Sequence, residues 1–199
     1  MRSVNAPSFD LASTLHSGQA FVWEESERGG KRGFEGLADC LPAFLSQRDG
    51  RMFIHGAETS RVSSYLALDH DIESILASFP SDDPHLAAAL EFCRGLRILR
   101  QPKWECLASF ICSSLKQVTH IRQMSLRMRK RFGEVVETGG IQLHAFPTPE
   151  ALASAGEEAL RECGLGYRAK GLWLAAARIA RREEDLEVLD SLDDEALCE

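Results

Sequence analysis

The six cysteines of this 199-residue chain, Cys40, Cys93, Cys106, Cys112, Cys163 and Cys198, include no C-x-x-C pair. Zinc sites, thioredoxin-like redox motifs and four-thiolate iron–sulfur centres all need closer spacing, so no metal and no cofactor is expected. Reduced, mostly buried thiols are expected instead. His16, His55, His70, His85, His120 and His144 are scattered, and H-E-x-x-H, a Walker loop and G-x-S-x-G are all missing. Metalloprotease, P-loop NTPase and hydrolase chemistry therefore lose their signatures. No apolar run approaches about 18 residues, so no transmembrane helix and no membrane partner is expected. Residues 1–10 hold no apolar signal-peptide core. The expected location is the cytoplasm, associated with the nucleoid if the chain binds DNA. There is no internal repeat or low-complexity tract.

What is there fits a folded globular protein: 44% hydrophobic and 27% charged residues. The length allows one large domain or two small ones. The net charge of −7 is unevenly spread, because residues 183–199 hold nine acids and no Lys or Arg. Without those nine acids the remaining residues 1–182 carry +2. Arg122, Arg127, Arg129, Lys130 and Arg131 form one basic cluster, and Arg168, Lys170, Arg178, Arg181 and Arg182 a second. Local clusters govern phosphate contact more than the total charge does. Arg178, Arg181 and Arg182 read best as a solvated helix face.

The first third reads as strands over 19–23, 31–38, 40–45 and 51–55, with hairpin turns at Gly29-Gly30 and Asp49-Gly50 and a possible edge strand over 60–68. The rest reads as helices. Asp83-Pro84 and Thr148-Pro149 are N-cap and first-position pairs, and Pro102 opens a segment over 103–114 with Leu107, Phe110 and Ile111 at helical spacing. Helices are also expected over 71–79, 83–94, 117–132, 150–163 and 167–182, the last with Leu172, Trp173, Ala176, Ile179 and Ala180 as its stripe, then over 185–192 and 193–199. The expected fold class is α+β: an N-terminal antiparallel β domain over 1–67, then an incomplete all-helical domain over 68–199.

The segment Gly164-Leu165-Gly166-Tyr167-Arg168-Ala169-Lys170 breaks one helix and opens the next. A helix start offers unpaired N–H groups and a positive dipole end to a phosphate. Tyrosine can wedge into an opened base step, and arginine can bond a base edge. A plain glycine stop followed by an amphipathic helix explains the same residues.

Two further segments decide between these. They are Leu15-His16-Ser17-Gly18-Gln19-Ala20-Phe21-Val22-Trp23, and Leu99-Arg100-Gln101-Pro102 leading into Glu105-Cys106-Leu107-Ala108-Ser109-Phe110-Ile111-Cys112-Ser113-Ser114. In this order and spacing, from about Phe9 to Cys198, the three segments resemble the 8-oxoguanine DNA glycosylase/AP lyase family of the helix-hairpin-helix glycosylase superfamily. The resemblance implies base excision repair: removal of 8-oxoguanine, then β-elimination at the abasic site. The partner it implies is double-stranded DNA containing 8-oxoguanine.

It also implies roles. The backbone carbonyl of Gly18 would accept N7–H of 8-oxoguanine and repel the N7 lone pair of guanine, a discrimination on the order of 1–3 kcal/mol. Tyr167 would wedge at the lesion step, and Arg168 would contact the orphaned cytosine. Where many relatives carry an asparagine run, this chain has Leu115-Lys116-Gln117. Leu115 becomes an apolar wedge, and Lys116 or Gln117 a phosphate or cytosine contact. His120 stands where a second cytosine-reading arginine falls, so cytosine preference rests on Arg168.

The family's nucleophilic lysine sits in a hairpin L-P-G-x-G-x-K directly after A-L-C. Here Ala196-Leu197-Cys198 is followed by Glu199. The expectation is that no residue of these 199 is catalytic, that the chain alone is inactive, and that a second chain supplies further helices. A non-catalytic damaged-DNA-binding module and a decayed fragment remain alternatives.

Overall fold

A computed structural model describes residues 2–193, 195 and 196. The expected helix over 193–199 falls largely outside them, as do Leu197 and Cys198 of the A-L-C motif. The chain forms two compact units, residues 1–101 with 136–143, and residues 102–135 with 144–199. The expected division at residue 67 is not where they part: the segment 68–101 stays with the sheet, and 136–143 return to it.

The first unit is built on a five-stranded antiparallel sheet of order β1-β5-β4-β3-β2. Its strands are β1 (Arg2–Asn5), β2 (Glu24–Arg28), β3 (Lys31–Ala38), β4 (Leu41–Arg48) and β5 (Arg51–Gly56). Three two-residue turns join β2 to β5: Gly29-Gly30, Asp39-Cys40 and Asp49-Gly50, all with positive φ at both positions. That geometry matches the twist of paired strands. The middle turn carries Asp-Cys, which no turn rule flags.

Helices α1 (Leu11–His16), α2 (Thr59–Tyr65), α3 (Ile72–Ala77) and α4 (Pro84–Phe92) complete this unit. Leu45, Met52, Ile54, Val62 and Leu66 are its buried centre. Trp23 lies on Gly36, where a Cβ would stand 2.5 Å from the indole, and it donates its ring N–H to the Tyr65 hydroxyl at 3.0 Å. Two strand expectations fail. Residues 19–23 are irregular and precede β2, whose polar sequence EESER hides an edge strand. Residues 60–68 enter helix α2, because their buried Val62 and Tyr65 follow helical spacing rather than alternation. Strand β1 and helix α1 were not expected.

The second unit contains α5 (Lys103–Ser113), α6 (Val118–Phe132), α7 (Pro149–Leu160) and α8 (Arg168–Ala180). Between α6 and α7 the chain makes the hairpin β6 (Val135–Thr138) and β7 (Ile141–His144), whose central residues belong to the first unit. There Val136 and Leu143 pack on the sheet core, and the Gly139 carbonyl meets His55 Nε2 at 2.8 Å. Thr148 caps α7 by accepting from the Ala151 N–H at 3.2 Å, with Pro149 at the first position. A π-helical turn, Arg161–Leu165, leads on towards α8, and Leu186–Ser191 form a short 3-10 helix.

Leu152, Leu160, Leu165, Leu172 and Ala176 are the buried centre of this unit. Helix α5 turns Ala108, Ser109 and Cys112 inward and leaves Phe110 outside. The Leu107–Phe110–Ile111 stripe expected from spacing is thus not its buried face.

Candidate nucleic-acid interface

In the first unit, Gly18 follows helix α1 with φ +85°, a conformation suited to glycine. Its neighbour Gln19 fastens this bend. The Gln19 amide nitrogen donates to the Ser17 hydroxyl at 2.8 Å and to the Arg97 carbonyl at 2.9 Å. Its amide oxygen accepts from Leu99 N–H at 2.9 Å, and its backbone carbonyl accepts from the Gln101 side chain at 2.8 Å. The motif glutamine therefore ties residues 17–19 to the Leu99–Gln101 motif, two segments about eighty positions apart. Gly18 itself is only partly exposed. Gln19 is a residue that fixes this bend and that sequence reasoning passed over, although S-G-Q stood within the quoted motif.

In the second unit, the remaining candidates cluster around one turn. The Lys116 N–H donates to the Ser113 carbonyl at 3.0 Å. Ser114 has φ −49° and ψ 119°, and Leu115 has φ +53°. This is a type II turn, whose third position normally takes glycine or asparagine. Leucine there carries a left-handed strain of roughly 1–2 kcal/mol. Leu115 is 92% exposed.

Arg168 closes the underside of this turn. Its Nε donates to the Ser114 carbonyl at 2.8 Å, Nη2 donates to the same oxygen, and Nη1 donates to the Leu165 carbonyl at 3.3 Å. The guanidinium lies 4.3 Å from the centroid of the Tyr167 ring. Arg168 is 6% exposed, whereas Tyr167 is 62% exposed, with its hydroxyl 3.4 Å from Ser114 Oγ. Burial pushes the Cys112 thiol, on the inner side of α5, up to about 12, although the Arg168 charge pulls the other way.

The structure thus brings Leu115, Tyr167 and Arg168 together around Ser114. Lys116 and Gln117 follow in the same exposed linker, and His120 is exposed in the first turn of α6. Ser114 and its carbonyl were missed by sequence reasoning, since a backbone acceptor leaves no mark in the residue type. Arg127 reaches the bend before α8: its Nη1 stands 2.9 Å from where a Gly164 Cβ would lie.

The first basic cluster differs from its sequence appearance. Arg129 is buried in an ion pair with Glu105, and Arg131 pairs with Glu162 at 2.6 Å. Arg178 meets Glu184, and Arg181 meets Glu183 at 2.8 Å, so this part of the second cluster is a paired helix face. Among the described residues no group of His, Cys, Asp and Glu is arranged to hold a metal, and no helix is long and apolar enough to cross a membrane.

The fold is that of the DNA glycosylases. A 3-methyladenine DNA-glycosylase from Archaeoglobus fulgidus matches at a TM-score of 0.68 over 98% of this chain and 71% of that one, with 19% identity, a likeness of fold alone. The family model described as 8-oxoguanine DNA glycosylase, N-terminal domain, matches residues 3–107. The apo-form of the Clostridium acetobutylicum 8-oxoguanine glycosylase/lyase matches at 30% identity and a TM-score of 0.87, over 98% of this chain and 70% of that one. The same enzyme in complex with double-stranded DNA containing cytosine opposite 8-oxoguanine matches at a TM-score of 0.85 and 30% identity, over 94% of this chain and 65% of that one. The N-glycosylase/DNA lyase of Saccharomyces cerevisiae is 29% identical over 204 residues, 94% of this chain and 54% of that protein. The chain belongs to the 8-oxoguanine DNA glycosylase family. It spans about half the length of the curated relatives it matches.

Proposed function

We propose that this chain is the lesion-recognising part of an 8-oxoguanine DNA glycosylase/AP lyase of base excision repair, acting on double-stranded DNA in the cytoplasm at the nucleoid. The observation that carries the reading is the pair of exposed side chains at the Ser114 turn, Leu115 within it and Tyr167 with its hydroxyl 3.4 Å from Ser114 Oγ. Flipping a base costs a few kcal/mol of stacking, and apolar or aromatic groups inserted in its place offset that cost. Gly18 supplies the carbonyl that accepts N7–H of 8-oxoguanine. Lys116, Gln117 and His120 lie where phosphate or the orphaned base would come.

The same reading assigns no catalytic residue to these 199. Schiff-base chemistry at C1′ needs an unprotonated lysine amine. Lys103 is held protonated by hydrogen bonds from its ammonium to Asp190 and Glu187, which raise its pKa. Lys31, Lys116, Lys130 and Lys170 are exposed side chains.

A duplex carrying 8-oxoguanine, incubated with the chain and borohydride, tests this division. Binding without a covalent adduct supports it, and a trapped adduct contradicts the assignment of no catalytic lysine. The binding should also weaken steeply as salt rises, because Lys and Arg displace counterions from phosphate. The exposed Phe110 and Leu174 suit cover by helices from a second chain. A monomer that melts cooperatively on its own removes that part of the reading.

A further inference from the structure

We propose that the turn end of the five-stranded sheet is a phosphate-binding fork, in which four cations hold the DNA backbone beyond the lesion. The occupant rests on the DNA reading above; the fork itself is a feature of the fold.

Strands β2 and β3 stay paired up to Arg28↔Lys31, beside the Gly29-Gly30 turn, and β4 and β5 up to Arg48↔Arg51, beside Asp49-Gly50. Between these two hairpins, β3 and β4 pair only from Phe34↔Leu45 to Ala38↔Leu41. The pairing stops short of residues 31–33 and 46–48, so the hairpin ends part like two prongs. A groove of about 300 Å³ opens there, with Lys31 and Arg32 on one side and Ser46 and Arg48 on the other. Phe53 of β5 also lines it, and the Lys31 ammonium lies 5.4 Å from the centroid of that ring.

Each prong carries two cations. Directly opposed residues of an antiparallel pair share a face, and like charges placed so weaken a sheet. This sheet keeps two such pairs, Arg28 with Lys31 and Arg48 with Arg51, beside one groove. Glu35 meets Arg28 at 3.3 Å and Asp49 meets Arg48 at 3.1 Å, which sets two carboxylates against four cations. The main chain adds a donor. Residues flanking a two-residue turn exchange both hydrogen bonds, and alternate residues then point their N–H groups away from that partner. In β3 this alternation directs the Arg32 N–H towards β4, where the pairing has ended.

The excess positive charge and the open N–H suit phosphate oxygens. Four strands span on the order of 14 Å, the axial length of about four phosphates on one DNA strand. Cations spread over that length match a polyanion better than a single small anion. Contacts of this kind position a duplex and carry no sequence information.

The test compares a duplex containing 8-oxoguanine with the same duplex containing guanine, across a salt series. Lys31→Gln and Arg51→Gln should each weaken both duplexes by roughly fivefold at about 0.1 M salt, and should lower the slope of log affinity against log salt by about 0.9. Arg94→Gln, which removes an exposed cation of α4 paired with Glu91, should change neither. Arg51→Gln relieves the opposition to Arg48, so its melting midpoint should hold or rise while binding falls. In an NMR titration, a single-stranded thymidine oligonucleotide should shift the Arg32 and Gly33 amides of the natural chain. Lys31→Gln combined with Arg48→Gln should abolish that shift.

Unchanged salt slopes in Lys31→Gln and Arg51→Gln overturn the proposal, as does an equal loss in Arg94→Gln, a midpoint that falls with the affinity, or amides that do not shift. Tighter binding to phosphatidylglycerol vesicles than to either duplex, lost in the same variants, also overturns it and assigns the fork to a membrane surface. If the natural chain binds neither duplex while the oligonucleotide still shifts the Arg32 amide, the lesion reading fails and the phosphate fork stands.

Discussion

Arg129 of α6 and Glu105 of α5 form an ion pair inside the helical unit, with side chains 2% and 12% exposed. Arg129 Nη1 also donates to the His144 carbonyl at 3.3 Å, and the guanidinium lies 5.2 Å from the centroid of the Phe146 ring. A residue that sequence reasoning placed among the phosphate-binding basic groups is therefore part of the packing. Removing one member of such a pair leaves a buried charge without its partner, which costs about 3–5 kcal/mol. Glu105→Ala and Arg129→Met should each lower stability by about that much in urea titrations, and Glu105→Leu combined with Arg129→Met should cost less than either. Equal, additive losses below about 0.5 kcal/mol would mean that the pair behaves as a surface contact.

The cysteines divide by burial. Cys112 is 1% exposed, with its thiol pushed up to about 12, and burial likewise raises the pKa of Cys163. Cys93 and Cys106 are exposed. Only the thiolate reacts with alkylating agents. At pH 8, peptide mapping after brief iodoacetamide treatment should show Cys93 and Cys106 modified and Cys112 and Cys163 intact. Unfolding in guanidinium should make all four react. Rapid labelling of Cys112 in the folded protein would show that the inner side of α5 is open to solvent.

Gly36 is a packing glycine. A Cβ there would stand 2.5 Å from two atoms of the Trp23 indole, and Trp23 is itself 4% exposed and bonded to Tyr65. Gly36→Ala should cost about 1–3 kcal/mol through overpacking. Gly140→Ala is a useful contrast, since its Cβ would meet nothing within 4 Å, although its φ of +74° carries a strain of its own. Near-UV circular dichroism of the indole should change in Gly36→Ala and not in Gly140→Ala.

Turn and cap chemistry made much of this fold legible. Gly29-Gly30 and Asp49-Gly50 marked two hairpins, and Asp83-Pro84 and Thr148-Pro149 marked two helix starts. Strand β2 was hidden because an edge strand with the sequence EESER has no apolar face to betray it. The hairpin over 135–144 was hidden because its place is set by contacts with His55 and the sheet core, far away in sequence. The candidate side chains were named from the sequence: Gly18, Tyr167 and Arg168 from motifs, and Leu115 from a departure from the family's asparagine run. Their mechanics were not. The Gln19 ties join residues some eighty positions apart, and the Arg168 bonds end on a backbone carbonyl.

The affinity of the chain for matched duplexes containing 8-oxoguanine or guanine opposite cytosine, measured at one salt concentration, tests the central reading most directly. The difference between N7–H and a lone pair at the Gly18 carbonyl is on the order of 1–3 kcal/mol. The chain should therefore bind the 8-oxoguanine duplex at least about fivefold more tightly. Equal affinity for the two duplexes, or no binding to either, would contradict the account.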